Sequence, residues 1–124
     1  TRGRVPPPGK RAADCAICHR ESFVPETADP PLCDDCRLEP GEIVSDEQTG
    51  DRLVVARVTG RRADEYVVES VGTTVADYPT NEGYPATDLV VEVTYLTDAV
   101  RRDDPRQYAF PYARLSPTGS ELID

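Results

Sequence analysis

Four cysteines carry the most specific chemistry in this chain. They stand in the segments Cys15-Ala16-Ile17-Cys18 and Cys33-Asp34-Asp35-Cys36, two C-x2-C pairs separated by fourteen residues, and they are all the cysteines present. Tetrahedral Zn²⁺ accepts thiolates at roughly 2.3 Å, and a two-residue gap lets both sulfurs of a pair reach one ion from a tight turn. The intervening stretch suits a hairpin or loop that returns the second pair to the first. Two disulfides are the alternative pairing, but no apolar segment resembling a secretory signal is seen, and cytosolic thiols stay reduced. A redox C-x-x-C needs a single pair inside a βαβ context, which is missing here. The spacing therefore predicts one structural Zn²⁺ on Cys15, Cys18, Cys33 and Cys36. Four thiolates fill a tetrahedral site and leave no position for an activated water, so metal-assisted hydrolysis is not expected. His19, the single histidine, follows Cys18 and is read as a surface group beside the metal or one that meets a partner, not as a fifth ligand.

Charge points to a partner. The chain has a formal net charge of −9, and its basic residues are thirteen arginines and one lysine, Lys10. Residues 1–13 hold Arg2, Arg4, Lys10 and Arg11 with no acid, whereas 14–51 are strongly acidic and relieved only by Arg20 and Arg37. With the Pro6-Pro7-Pro8-Gly9 stretch, residues 1–13 read as an extended, flexible basic arm. If phosphates are contacted, the arm, His19 and Arg20 of the first cysteine pair, and the Arg61-Arg62 pair are the candidates. A plainer reading pairs Arg61 and Arg62 with Asp64 and Glu65 beside them. The same holds for Arg101-Arg102 beside Asp103 and Asp104.

The elements that must position these groups are short. Residues 14–38 form the metal finger, Glu39-Pro40-Gly41 breaks the chain, and 39–51 read as an acidic connector. From Arg52 onward the pattern is β. Expected strands lie at 53–58, 66–71 and 74–78, with the strongest at 89–96, where Leu89, Val91, Val93 and Tyr95 share one face. A last strand is expected over 108–115, demoted to an edge or bulge by Pro111. The fold class expected is mainly β: a four-cysteine zinc finger followed, over 52–124, by a small antiparallel barrel of SH3-like or OB-like type. No apolar run approaches the roughly 20 residues of a membrane helix, so the chain is expected to be cytoplasmic, with neither membrane nor small-molecule partner.

At its cysteines the chain resembles the zinc-ribbon and treble-clef group of small zinc fingers, over about residues 14–38. With a Lys-poor, Asp-rich composition it looks like the small zinc-finger proteins of haloarchaea. The resemblance implies a binding module, often for nucleic acid, ribosomes or a polymerase. No catalytic signature accompanies it: G-x-S-x-G, the P-loop and G-x-G-x-x-G are all missing. The expectation is a non-enzymatic protein that binds RNA or a ribonucleoprotein such as the ribosome. The alternatives are a protein–protein adaptor in a larger assembly and a DNA-binding regulator. In molar salt counterion release drives binding only weakly, so Arg–phosphate forks and aromatic packing would have to supply it, consistent with the bias to arginine.

Overall fold

The computed structural model describes residues 5–101 and 106–121. The chain divides into two compact units, Thr1–Arg37 and Leu38–Asp124. Arg2, Arg4, Arg102, Asp103 and Asp104 lie outside the described residues, as does the side chain of Arg101.

The first unit is built on a hairpin. Strand β1 (Lys10–Asp14) pairs antiparallel with β2 (Glu21–Pro25), in register from Lys10↔Pro25 to Asp14↔Glu21. Lys10 and Arg11, read from the sequence as part of a flexible arm, thus belong to an ordered strand. Its anchor is local: Gly9, at φ +79°, turns the chain so that its carbonyl accepts the Glu26 N–H at 3.0 Å. The buried apolar residues of this unit are Cys15, Val24, Leu32 and Cys33. Two non-cysteine side chains cannot offset the entropy of ordering such a segment.

The second unit is an antiparallel sheet of five strands in the order β8-β7-β4-β3-β9. Its members are β3 (Glu42–Asp46), β4 (Arg52–Arg62), β7 (Leu89–Tyr95), β8 (Tyr108–Pro111) and β9 (Leu115–Glu121). Between β4 and β7 the chain makes a two-stranded excursion, β5 (Val67–Val68) against β6 (Thr73–Thr74), followed by a 3-10 turn at Pro79–Asn81. The α-helix α1 (Leu96–Arg101) is six residues long. No helix among the described residues is long and apolar enough to cross a membrane.

The mainly β class agrees with the sequence, but the barrel does not form. The sheet stays open, with β8 and β9 as its two edges. The physical reason lies in those edges: β8 ends after four residues at Pro111, and β9 carries Pro117 and Gly119. Proline donates no ladder hydrogen bond and glycine packs no side chain, so neither edge is suited to close on the other. The acidic connector is also revised, because it contains β3. Ile43 and Val44 are buried there, and Val44 joins Leu38, Leu53, Val55, Val91, Val93, Phe110 and Leu115 in the main core. A smaller cluster of Ala63, Val75 and Val90 packs with Tyr66, Val68, Ala76 and Ala109.

One buried ion pair ties this unit together. Asp46, at the end of β3, is fully buried, and Arg114, just before β9, is 7% exposed. Arg114 Nε and NH2 donate to the two carboxylate oxygens of Asp46 at 2.9 and 2.7 Å. Its NH1 donates to Thr80 Oγ1 and Asn81 Oδ1, both at 3.0 Å, and its guanidinium lies 4.6 Å from the Phe110 ring centre. Asp46 also accepts from the Gln48 N–H and the Thr49 hydroxyl, inside the β3–β4 turn that Gly50 makes possible at φ +79°. Burial alone would raise the Asp46 pKa, but the Arg114 guanidinium and the Gln48 N–H reverse this and hold it below the ordinary 3.8.

Because the pair is buried, removing one partner leaves an uncompensated charge. Arg114→Met is expected to destabilise the protein by about 3–5 kcal/mol, read as a lower urea midpoint at neutral pH. A depressed carboxylate pKa means this stabilisation is complete above about pH 4. It is lost as pH falls below 3.8 through the folded-state value. Arg114→Met should therefore show a smaller loss of stability than wild type over that acid range.

Candidate metal centre

The first cysteine pair is the tip of the β1–β2 hairpin. The Cys15 N–H donates to the Arg20 carbonyl at 2.9 Å, continuing the ladder by one pair, and the His19 N–H closes the turn on the Cys15 carbonyl at 2.9 Å. That closure places His19 in the left-handed region at φ 64°, costing about 1–2 kcal/mol for a residue with a Cβ. After β2 the chain returns, and the Ala16 N–H donates to the Pro31 carbonyl at 2.9 Å. The second pair turns the same way: the Cys36 and Arg37 N–H groups both reach the Cys33 carbonyl, at 3.1 and 3.0 Å.

These two turns bring all four sulfurs within 4.8 Å of one another. Cys18 Sγ and Cys33 Sγ lie 3.7 Å apart, too far for a bond and close to the spacing of two thiolates on one tetrahedral ion. All four cysteines are free thiols. Cys15 and Cys33 are buried, Cys36 is half-buried and Cys18 faces solvent. The donor set and its geometry thus fit a metal ion, held by residues that the sequence spacing singled out.

The thiols are unequal. Burial would raise the Cys15 pKa, but hydrogen bonds from the backbone of Cys18, Cys33 and Ile17 bring it down to about 6. Cys33 is lowered too: burial opposes ionisation, and the hydrogen bond from Arg20 favours it. Cys36 moves the other way, raised by burial and then by its bonds to Cys33, Cys15 and Cys18. A cluster this tight cannot ionise fully by itself, because each thiolate disfavours the next. A bound cation would take the place of the protons.

Arg20 has a role that sequence reasoning assigned differently. Its NH2 donates to Cys33 Sγ at 3.6 Å and to Asp35 Oδ2 at 2.8 Å. It bridges the two cysteine turns and partly neutralises the sulfur cluster. The neighbouring Asp34 is taken up by Arg37 at 2.8 Å, so both acids between Cys33 and Cys36 carry a guanidinium partner.

The remaining expected contact residues are dispersed. Lys10 is exposed at the far end of β1, about 17 Å along the strand from Cys15. Arg11 is half-buried and donates to the Ala28 carbonyl at 2.9 Å. His19 is exposed and lies outside the sulfur cluster. Arg62 is held by Asp64 and Glu65 at 3.0 and 3.4 Å, as the plainer reading of the sequence had it. Arg61 instead lies over the Tyr66 ring, 5.4 Å from its centre. Arg106, which the sequence reading passed over in its charged loop, lies in the same way over Tyr108 at 5.6 Å. No sequence signal marks it, because Tyr108 is visible but the geometry that stacks Arg106 on it is not.

Compared with protein-family models, curated proteins and solved structures, the chain matches none.

One metal ion per chain is expected, measured by elemental analysis of protein purified without added metal. Cobalt substitution should give the visible absorption of a tetrahedral thiolate site. Arg20→Gln is expected to weaken metal binding by about 10–100-fold, the usual effect of removing a partner of a ligand, measured by competition with a chromophoric chelator. Cys18→Ser in the same assay should weaken it further, since it removes a ligand outright.

Proposed function

We propose that Cys15, Cys18, Cys33 and Cys36 hold one structural Zn²⁺ and that the protein is a non-enzymatic module binding RNA or a ribonucleoprotein such as the ribosome. The observation that carries the metal reading is the convergence of four sulfurs within 4.8 Å. An all-thiolate set suits zinc, and four protein ligands saturate it. The ion's task is folding: a unit with only Val24 and Leu32 buried besides Cys15 and Cys33 among its described residues needs a cross-link in place of a core. Chelation is accordingly expected to unfold β1 and β2 while the five-stranded sheet stays folded. Amide hydrogen exchange before and after a strong chelator distinguishes the two units.

The RNA reading is supported by the handling of positive charge. In an acidic chain most described guanidiniums are matched to a carboxylate: Arg20, Arg37, Arg57, Arg62 and Arg114. Arg61 and Arg106 meet aromatic rings instead, which leaves their N–H forks able to receive a phosphate. The cationic residues 1–11 add a sequence-independent attraction. The acid-rich, lysine-poor composition suits the cytoplasm of a halophile, where such forks would count for more than counterion release.

An adaptor role is the second reading, favoured by the two open sheet edges. A DNA regulator is less well supported, since α1 spans six residues, too few to fill a major groove. A pull-down from native lysate at working salt, with and without ribonuclease, separates the first two. RNA-dependent capture of ribosomal material is the expected result. Proteins retained equally after ribonuclease would decide for the adaptor. Arm deletions should stop before Pro7, whose carbonyl accepts the Lys10 N–H at the start of the hairpin.

A further inference from the structure

The second unit carries a groove of about 840 Å³, inside the roughly 300–1,000 Å³ of ordinary ligand clefts. Four of the six tyrosines line it, Tyr66, Tyr78, Tyr95 and Tyr108, together with Arg61 and Arg106. Its aromatic wall is organised. Tyr95 and Tyr108 meet edge to face with centres 5.1 Å apart, and Arg106 lies over the Tyr108 ring. Arg61 lies over Tyr66.

The polar groups deeper in the groove are already satisfied. Glu92 accepts from Arg57 Nε and from the Tyr66 hydroxyl, each at 2.6 Å, and Arg114 is spent on Asp46, Thr80 and Asn81. Besides the exposed carboxylate of Glu69, the groove offers ring surface, two guanidiniums without a carboxylate partner among the described residues, and exposed apolar side chains. Those side chains are Val67 and Val71, each 51% exposed, and Tyr78 at 37%. Three of the five large hydrophobic residues exposed among the described residues therefore line this one groove. In a chain of net charge −9, a concave surface that sets tyrosine rings beside two guanidiniums with no carboxylate partner among the described residues suits a ligand that is both planar and anionic.

We propose that this groove binds a short stretch of single-stranded RNA, with bases against the tyrosine rings and phosphates on Arg61 and Arg106. The inference rests on the RNA-binding reading above and assigns it a site on the sheet unit. Unstacked bases present the flat faces that aromatic side chains and guanidinium planes accept. Duplex nucleic acid hides those faces, so single strands fit and duplexes do not. A docked peptide strand fits less well. The strand beside the groove, β8, has four residues and ends in Pro111, which donates nothing, so an added strand finds little ladder.

The test uses the full, metal-loaded chain and a fluorescein-labelled oligouridine of about ten nucleotides, within the ordinary site size of single-strand binders. Anisotropy gives affinity across a salt series. Tyrosine emission reports stacking directly, because the chain has no tryptophan. Wild type is expected to bind with quenching of tyrosine emission, and a duplex of the same length to bind at least tenfold more weakly. The double variant Arg61→Gln with Arg106→Gln alters two exposed side chains and is expected to keep its circular dichroism. It should lose at least tenfold in affinity, and its log–log salt slope should shrink by roughly 1.4, about 0.7 for each phosphate contact removed. Tyr78→Ser should lose part of the quenching.

If wild type and the double variant bind the oligonucleotide equally, the groove is not the site, while the RNA reading stands. If wild type binds no RNA but does bind an acidic peptide through Arg61 and Arg106, both the site's assignment and the RNA reading are overturned.

Discussion

The sheet unit depends on one buried ion pair, Asp46 with Arg114. It joins residues sixty-eight positions apart, so closing it fixes where β3 ends, where β9 begins, and where the 3-10 turn at Pro79–Asn81 rests. A buried carboxylate and guanidinium are tolerated only when every hydrogen-bonding group is used. Here Asp46 is met by Arg114, Gln48 and Thr49, and Arg114 by Asp46, Thr80, Asn81 and the Phe110 ring. The geometry is specific where a purely apolar core would be permissive. It also places Arg114, Asn81 and Phe110 along the groove, so the ion pair that orders the sheet also shapes that groove.

The finger meets the same shortage of core differently. It has hairpin hydrogen bonds and four clustered sulfurs whose geometry fits a metal ion. Arg20 is the hinge of that arrangement, since it faces the cluster from the first turn and reaches Asp35 in the second. A positive side chain read from sequence as a contact to phosphate donates to Cys33 Sγ and to Asp35. Positive charge beside a four-thiolate site, formally −2 with zinc, lowers the cost of gathering that much negative charge in one place.

Several arginines show one of two modes, and Arg114 combines them, paired with Asp46 and lying over Phe110. Paired with a carboxylate an arginine is structural, as at Arg57–Glu92 and Arg62–Asp64. Laid over an aromatic ring it keeps its fork available, as at Arg61–Tyr66 and Arg106–Tyr108. The distinction matters in a chain this acidic, where five arginines among the described residues are held by carboxylates.

The four-cysteine cluster was legible from sequence because C-x2-C is a local motif, complete within one turn and needing only a second copy to return. The strands 53–58 and 89–96 were legible because alternation of β-branched residues is also local, and β4 and β7 appear there within a few residues. Three features were hidden. Strand β3 lay in an acidic stretch because one of its carboxylates is buried against an arginine far along the chain, and no local pattern announces such a partner. The sheet's failure to close depends on how β8 and β9 meet their neighbours, which is a property of edges and not of strands. The partition of the arginines into paired and ring-stacked depends on which side chains the fold brings within about 6 Å. Sequence by itself determined the ligand set and the β class, since both follow from short-range spacing. Tertiary structure alone decided the open sheet and the aromatic groove, because each is made of contacts between residues that are distant in the chain.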